Sequence, residues 1–89
     1  MNKNLSNVTS EEIQEHYKRI GNFVKQQREL HNISQLQMAL AIGIKSVAFY
    51  SNCENSKNDK HFNIEHIYKI CKLLDIPLSD FYKSVEQLH

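Results

Sequence analysis

A single internal glycine, Gly43, joins two short segments whose apolar residues recur at helical spacing. In the first segment, one buried face is formed by Met38, Ala39 and Ile42. In the second, apolar positions recur every third residue, at Ile44, Val47, Tyr50 and Cys53. Glycine adopts the positive φ of a helix end without steric cost, so the turn between the segments can be very tight. Short helices joined in this way cross steeply and leave one face of the second helix uncovered, which is the arrangement of a helix-turn-helix.

Helix-capping residues predict the other helix ends. Thr9 and Glu12 form a T-x-x-E capping box ahead of a long first helix that reaches about His31. Side chains suited to N-caps precede the second and fourth helices, at Ser34 and Asn63. Pro77 prevents continuation of the fourth helix, and a last short helix follows from about Leu78. The sequence therefore predicts five helices.

Apolar positions along these helices predict the core. In the first helix, the helical period is fitted by Ile13, Tyr17, Ile20, Phe23, Val24 and Leu30. In the fourth helix, it is fitted by Ile67, Ile70, Cys71 and Leu74. The last helix offers apolar contacts to the bundle or to a partner chain, through Leu78, Phe81, Tyr82 and Val85. We expect this helix to form a dimer surface, with Phe81 and Val85 as the residues to test and the N-terminal part of the first helix as the second choice.

Length and composition favour one small domain. The chain has 89 residues with two glycines and one proline, which suits an all-helical build. We expect a flexible tail at residues 1–9, the helix-turn-helix domain at residues 10–83 and a short C-terminal extension at residues 84–89. No apolar run approaches the ~20 residues needed to span a membrane, and the polar N-terminus lacks the apolar core of a signal peptide. We therefore expect a cytoplasmic protein without a membrane partner.

The two cysteines do not indicate a disulfide, a metal site or a catalytic role. Cys53 and Cys71 fall on inward-facing helical positions, where a reducing compartment keeps them as thiols. The five histidines show no spacing with either cysteine that matches a zinc site. No catalytic nucleophile is evident, and the only glycines, Gly21 and Gly43, do not form a phosphate-binding loop. We expect no metal, no cofactor and no enzymatic activity.

Charge is unevenly distributed along the chain. The formal net charge of +1 is weak for a nucleic-acid binder. Residues 18–60, however, carry seven Lys or Arg and three Asp or Glu, a local charge of +4. The flanking segments hold the compensating acids, so the helix-turn-helix lies in the basic part of the chain.

Several positions together resemble the Cro and phage-repressor type of helix-turn-helix domain, the Xre family. The resemblance covers residues 18–83 and is carried by Arg28, Ser34-Gln35, Met38-Ala39, Gly43, Cys53-Glu54-Asn55, Lys57 and the break from Leu74 to Leu78. None of these positions is specific alone, whereas their order and spacing are. The resemblance implies a compact five-helix, lambda-repressor-like fold that binds double-stranded DNA. It also implies that Arg28 and Glu54 pair with each other and tie the first helix to the end of the third.

The chain departs from the family pattern in two places. Ser56 stands where the pattern has glycine, and ten residues separate Gly43 from Glu54, one more than in the pattern. Aligning on Gly43 would bury Asn52, and an unpaired buried amide costs about 1–3 kcal/mol. Aligning on Glu54 leaves Asn52 outside and Cys53 inside, so we expect Glu54 to set the register.

This register defines the candidate DNA contacts. The extra residue lies in the turn near Lys45, and Ser46 caps the third helix. The residues expected to face the major groove are Lys45, Ser46, Val47, Ala48, Ser51 and Asn52. Gln35 opens the second helix, where a phosphate is favoured and where family members use the matching glutamine for DNA contact. Asn55 and Lys57 follow the third helix and are expected to meet the DNA backbone.

The residue types on the third helix predict a base preference. Val47 and Ala48 can contact thymine methyl groups, and Asn52 can pair with adenine, whereas the helix has no arginine for guanine. We therefore expect A·T pairs in the operator. For Val47, simple packing inside the fold is an equal alternative.

These features predict a sequence-specific DNA-binding transcriptional regulator, a repressor or a small controller protein. One helix-turn-helix buries too little surface for tight specific binding, so we expect a homodimer on a palindromic operator. The same fold also serves as a protein-interaction module, above all in antitoxins that regulate their own operon with a toxin partner. That alternative stays open at this point.

Overall fold

The computed structural model describes residues 4–87, which form five α-helices and no strand. The helices are α1 (Ser10–Leu30), α2 (Gln35–Ala41), α3 (Val47–Asn55), α4 (Ile64–Leu74) and α5 (Leu78–Gln87), and one 3-10 turn (Leu5–Asn7) precedes them. The predicted all-α class with five helices is confirmed. In the described part of the chain, none of the helices has the length and apolar character that crossing a membrane requires.

The two predicted flanking segments fall partly outside these residues. Residues 1–3 of the predicted N-terminal tail and residues 88–89 of the predicted C-terminal extension lie outside the described range. The rest of the extension is helical, because α5 continues to Gln87, and Val85 is buried there.

Each predicted N-cap is confirmed, but the capping box predicted at Thr9 and Glu12 is only half formed: within residues 4–87, the Thr9 hydroxyl accepts the N–H of Glu12 and the Glu12 side chain does not bond back to Thr9. A side-chain oxygen accepts a hydrogen bond from the backbone N–H three residues later at Thr9, Ser34, Ser46 and Asn63. The boxes at α2 and α4 are complete, because Gln37 and His66 each accept the N–H of their own N-cap residue. At α4 the acceptor is His66 Nδ1, at 3.1 Å from the nitrogen of Asn63, in a position where glutamate or glutamine is usual.

One apolar core draws on all five helices. Its side chains include Val24 from α1, Met38 from α2, Tyr50 from α3, Ile70 from α4 and Phe81 from α5. Most of the predicted core residues are buried here, including both cysteines, which are free thiols.

The prediction was wrong for several apolar residues. Ile13 and Leu30, at the two ends of the α1 stripe, are exposed, because helical periodicity shows which residues share a face but not whether another element covers each of them. Phe81 and Val85, which we expected to test at a dimer surface, are fully buried in the chain's own core. Phe81 packs edge-on against Phe23 of α1, at 5.1 Å between ring centroids. Neither residue can therefore contact a second chain without unfolding α5.

Gly21 allows α1 and α3 to pack backbone against backbone. A Cβ atom on Gly21 would overlap the carbonyl oxygen of Glu54 and lie 2.9 Å from its carbonyl carbon. It would also lie 3.2 Å from the carbonyl oxygen of Cys53. Any side chain at residue 21 would therefore push the end of α3 away from α1.

Candidate nucleic-acid interface

The turn between α2 and α3 is built around Gly43. Its φ is +83°, and it places the N–H of Ile44 at 2.8 Å from the carbonyl oxygen of Ala39. The N–H of Gly43 itself donates to the carbonyl oxygen of Leu40 at 3.2 Å, which completes a Schellman motif. A Cβ at this glycine would have open space, with only the tip of Lys69 at 3.7 Å, so the backbone conformation is what favours glycine.

The register of α3 follows Glu54, as predicted. Ser46 Oγ accepts the N–H of Phe49 at 3.1 Å, so the helix begins at Val47 and the additional residue lies in the turn. Cys53 is fully buried, whereas Asn52 is partly exposed. Of the four apolar positions that recur every third residue, Ile44, Tyr50 and Cys53 are buried. The prediction was wrong for the fourth, Val47, whose exposed fraction is 42%.

Five of the predicted contact residues share one side of α3. They follow the spacing i, i+1, i+4, i+5 and i+8, at Val47, Ala48, Ser51, Asn52 and Asn55. All five are exposed or partly exposed. A helix of nine residues is about 13 Å long, and the major groove of B-DNA, about 12 Å wide, admits a helix. We call these five residues the α3 face.

The remaining predicted residues lie at the two ends of the α3 face. Lys45 and Ser46 are exposed in the turn ahead of α3. Lys57 is exposed just after α3, and its N–H donates to the carbonyl oxygen of Asn52 at 2.9 Å. Gln35, at the start of α2, reaches the C-terminal end of α3, where its Nε2 donates to Glu54 Oε1 at 3.1 Å.

The opposite side of α3 is anchored by the buried carboxylate of Glu54. Arg28 approaches it with two parallel hydrogen bonds, Nε to Oε2 and Nη2 to Oε1, both 2.9 Å long. The Tyr50 hydroxyl donates to Oε2 at 2.7 Å, and Gln35 donates to Oε1 as described above. Arg28 Nη1 also donates to the carbonyl oxygen of Ile33 at 2.8 Å. These four residues, Arg28, Gln35, Tyr50 and Glu54, form what we call the Glu54 cluster.

The electrostatics of the cluster favour its charged form. Burial alone would raise the pKa of Glu54, but hydrogen bonds from Arg28, Tyr50 and Gln35 outweigh it and lower the pKa. The hydrogen bond with Glu54 raises the pKa of Arg28. Burial, followed by the bond to Glu54, raises the pKa of Tyr50. The predicted pairing of Arg28 with Glu54 is therefore confirmed, and it joins α1 to α3 through a bidentate ion pair.

Two of the predicted DNA-contacting amides already have partners within the chain. One N–H of Gln35 is directed at Glu54, and Asn55 Nδ2 donates to the carbonyl oxygen of Ser51 at 2.9 Å. Each amide nitrogen carries a second hydrogen that can donate to a phosphate oxygen. These intrachain hydrogen bonds favour one orientation of each amide before any ligand arrives.

Sequence reasoning missed several contacts that support this surface. The roles of Gly21 and of the Tyr50 hydroxyl depend on which residues α1 and α3 bring together, and no local pattern marks them. The same is true of Gln14, whose Nε2 donates to the carbonyl oxygen of Ser56 at 2.9 Å, and of Tyr17, which stacks on His61. The glycine at residue 21 was the one available signal, since glycine inside a helix lowers stability unless a close approach requires it.

Comparison with known proteins identifies one family. A family model described as helix-turn-helix matches residues 24–81, more than half of the 89-residue chain. The matched segment contains the Glu54 cluster, the Gly43 turn and the whole α3 face. No curated protein matches the chain.

Proposed function

The chain belongs to the Cro/C1-type family of helix-turn-helix DNA-binding transcription regulators, and on that premise we propose that it is a sequence-specific repressor or small controller protein. It binds a palindromic operator as a homodimer and acts in the cytoplasm. The observation that carries the proposal is the α3 face, an exposed helix side with Lys45 before it and Lys57 after it, while the Glu54 cluster anchors the opposite side of α3.

The chemistry of the α3 face supports a preference for A·T pairs. Val47 and Ala48 offer apolar contacts for thymine methyl groups, and Asn52 offers the donor and acceptor that adenine requires. In the proposed complex, Lys45, Ser46 and Ser51 lie around these residues, while Gln35, Asn55 and Lys57 contact phosphates. Phosphate contacts fix position, and the α3 face supplies selectivity.

The test is selection of bound sequences from a random duplex pool, followed by footprinting. We expect symmetric half-sites containing A·T pairs, with centres about one helical turn apart. Asn52→Ala should cost about 1–3 kcal/mol at one base pair and relax the preference there. The matched control is Asn22→Ala, the same change at an exposed position of α1. No enrichment by the wild-type protein would overturn the proposal and favour the interaction-module alternative, in which a toxin partner is needed.

The second half of the proposal is the dimer, and the exposed apolar residues of α4 and α5 support it. Ile64, Tyr68, Leu78 and Tyr82 are all exposed, Ile64 by 81%. Ile64 and Tyr68 are four residues apart on α4, and Leu78 and Tyr82 are four apart on α5, so each pair lies on one side of its helix. Ile64 and Tyr82 border one surface depression, and Tyr68 and Leu78 border another. We call these four residues the α4–α5 surface.

The charges around the α4–α5 surface suit a second copy of the chain better than DNA. Residues 61–87 carry three lysines and four acids, in contrast to the basic segment before them. A nearly neutral surface with interspersed signs can face its own symmetry mate without net repulsion.

Sedimentation of charge-inserted variants tests the dimer. Ile64→Glu should shift the protein from dimer to monomer, because a carboxylate would then be buried at the two-fold contact. Leu40→Glu, at an exposed position of α2, is the control and should leave the dimer intact. A dimer that survives Ile64→Glu, or a wild-type protein that is monomeric with and without DNA, would contradict this arrangement.

A further inference from the structure

The loop between α3 and α4 has a demanding backbone conformation. Three of its residues have left-handed φ values and none is glycine: Ser56 at 52°, Asn58 at 54° and Asp59 at 57°. Such conformations cost free energy and persist only where the surrounding structure holds them. Lys57 and Lys60, both exposed, lie between and beside these residues.

Contacts from α1 hold both ends of this loop. At its start, Gln14 Nε2 donates to the carbonyl oxygen of Ser56 at 2.9 Å. At its end, the ring of Tyr17 stacks on that of His61, with centroids 3.7 Å apart and planes within 4° of parallel. Gln14 and Tyr17 are three residues apart, so they project from one side of α1. Inside the loop, the N–H of Lys60 donates to the carbonyl oxygen of Lys57 at 2.9 Å.

We propose that Gln14 and Tyr17 are positioning residues, which fix the loop from Ser56 to His61 so that Lys57 and Lys60 meet the DNA backbone in one conformation. The proposal rests on the proposed function, because it assigns these lysines to phosphates. A polar loop without such contacts would sample several conformations, and ordering it on binding would weaken the complex. Gln14 and Tyr17 lie outside residues 24–81, so the part of α1 that precedes the family match supplies these contacts to the loop.

Salt titration of DNA binding provides the first test. Each ordered phosphate contact contributes about 0.9 to the slope of log affinity against log salt concentration. Gln14→Ala and Tyr17→Ala should each lower this slope by about one unit and weaken binding about three- to tenfold. Tyr17→Phe keeps the stacked ring, and Gln26→Ala removes the same amide at an exposed position of α1, so both should behave like the wild type. Slopes that are unchanged in Gln14→Ala and Tyr17→Ala would overturn the proposal.

A mutant cycle separates positioning from general destabilisation. If Gln14 acts through the lysines, Gln14→Ala should have no further effect on affinity in a Lys57→Ala, Lys60→Ala background. An effect of undiminished size in that background would overturn the proposal, even if the variants are less stable. Backbone amide order parameters of residues 57–60 in the free protein should fall in Gln14→Ala and stay high in Gln26→Ala.

The outcomes distinguish this proposal from the proposed function. A wild-type protein that binds no duplex DNA would remove the proposed function, and the positioning role would fall with it. Normal wild-type binding, with a slope reduced by Lys57→Ala but not by Gln14→Ala or Tyr17→Ala, would remove only the positioning role.

Discussion

At the scale of single residues, the helix ends are unusual in how little glycine they use. Four helices end in a residue with left-handed φ, at Asn32, Gly43, Ser56 and Asp75. In each case the N–H of the next residue bonds to a carbonyl five positions earlier, as in a Schellman motif. Asn and Asp tolerate this conformation better than other side chains, so Ser56 is the least suited of the four. Its Oγ is buried and has no hydrogen-bond partner within residues 4–87.

Ser56→Gly should stabilise the protein. The change removes the strain of the left-handed conformation and the buried hydroxyl that has no partner. These effects outweigh the greater conformational entropy that glycine gives the unfolded chain, so we expect the free energy of unfolding to rise by about 0.5–1 kcal/mol. Urea unfolding measures the change. Ser51→Gly, inside α3, is the control and should destabilise by about 0.5 kcal/mol. A lower free energy of unfolding in Ser56→Gly would show that its side chain makes a favourable contact.

Gly21→Ala should destabilise the protein, although alanine is the better helix former. Helix propensity favours alanine by about 1 kcal/mol, whereas forcing a Cβ against the Glu54 backbone costs about 1–3 kcal/mol and also displaces the buried cluster. We expect a net loss, which chemical denaturation can measure. Asn22→Ala, one residue further along α1 and exposed, should be neutral or slightly stabilising. Equal stabilities of the two variants would mean that α1 and α3 can separate freely.

At the scale of helices, α4 begins with a capping box whose acceptor can be protonated. Burial lowers the pKa of His66, Lys69 and His61 lower it further, and Glu65 opposes them. The ring also lies edge-on to Phe49 and Phe62. Protonation of Nδ1 would remove the acceptor for the Asn63 N–H and place a positive charge at a helix N-terminus, where it is unfavourable.

His66→Gln should make stability less dependent on pH. The pKa of His66 in the folded protein is below its value in the unfolded chain. The stability that the neutral ring contributes is therefore complete above the unfolded pKa of about 6.5, and it is lost as the pH falls through the folded pKa. Glutamine closes the box without titrating, as Gln37 does in α2. Urea unfolding at about pH 7.5 and about pH 5.5 should show a larger loss for the wild type than for His66→Gln. Equal losses would assign the pH dependence to other groups.

At the scale of the whole molecule, Glu54 links elements that are distant in sequence. Its carboxylate, with a fully buried side chain, accepts hydrogen bonds from α1, α2 and α3. Glu54→Gln removes the charge and leaves Arg28 buried without its counter-ion, which costs about 3–5 kcal/mol. In a small domain this is a large part of the total stability, so we expect a strongly lowered thermal midpoint. Glu65→Gln breaks an exposed pair with Lys69 and should change the midpoint little.

How much the sequence predicts depends on the range of the interaction. The N-caps at Ser34, Ser46 and Asn63 follow from contacts three residues apart, and these predictions are confirmed. The register of α3 also follows, because burying Asn52 would have been costly. The exposure of Ile13 and the burial of Phe81 do not follow, since periodicity shows which residues share a face but not what covers it. The assignment of DNA contacts along α3 stays a prediction.

The division of α3 into an anchored side and an open side makes the helix suitable for engineering. The anchored side of α3 is formed by the buried side chains of Tyr50, Cys53 and Glu54, and none of them belongs to the α3 face. A library randomised at Val47, Ala48, Ser51 and Asn52 would therefore change the recognition chemistry while leaving the scaffold intact. For the same reason, we do not expect residues 34–57 to fold as a separate peptide. Without α1, the Glu54 carboxylate would lose its ion pair with the guanidinium of Arg28.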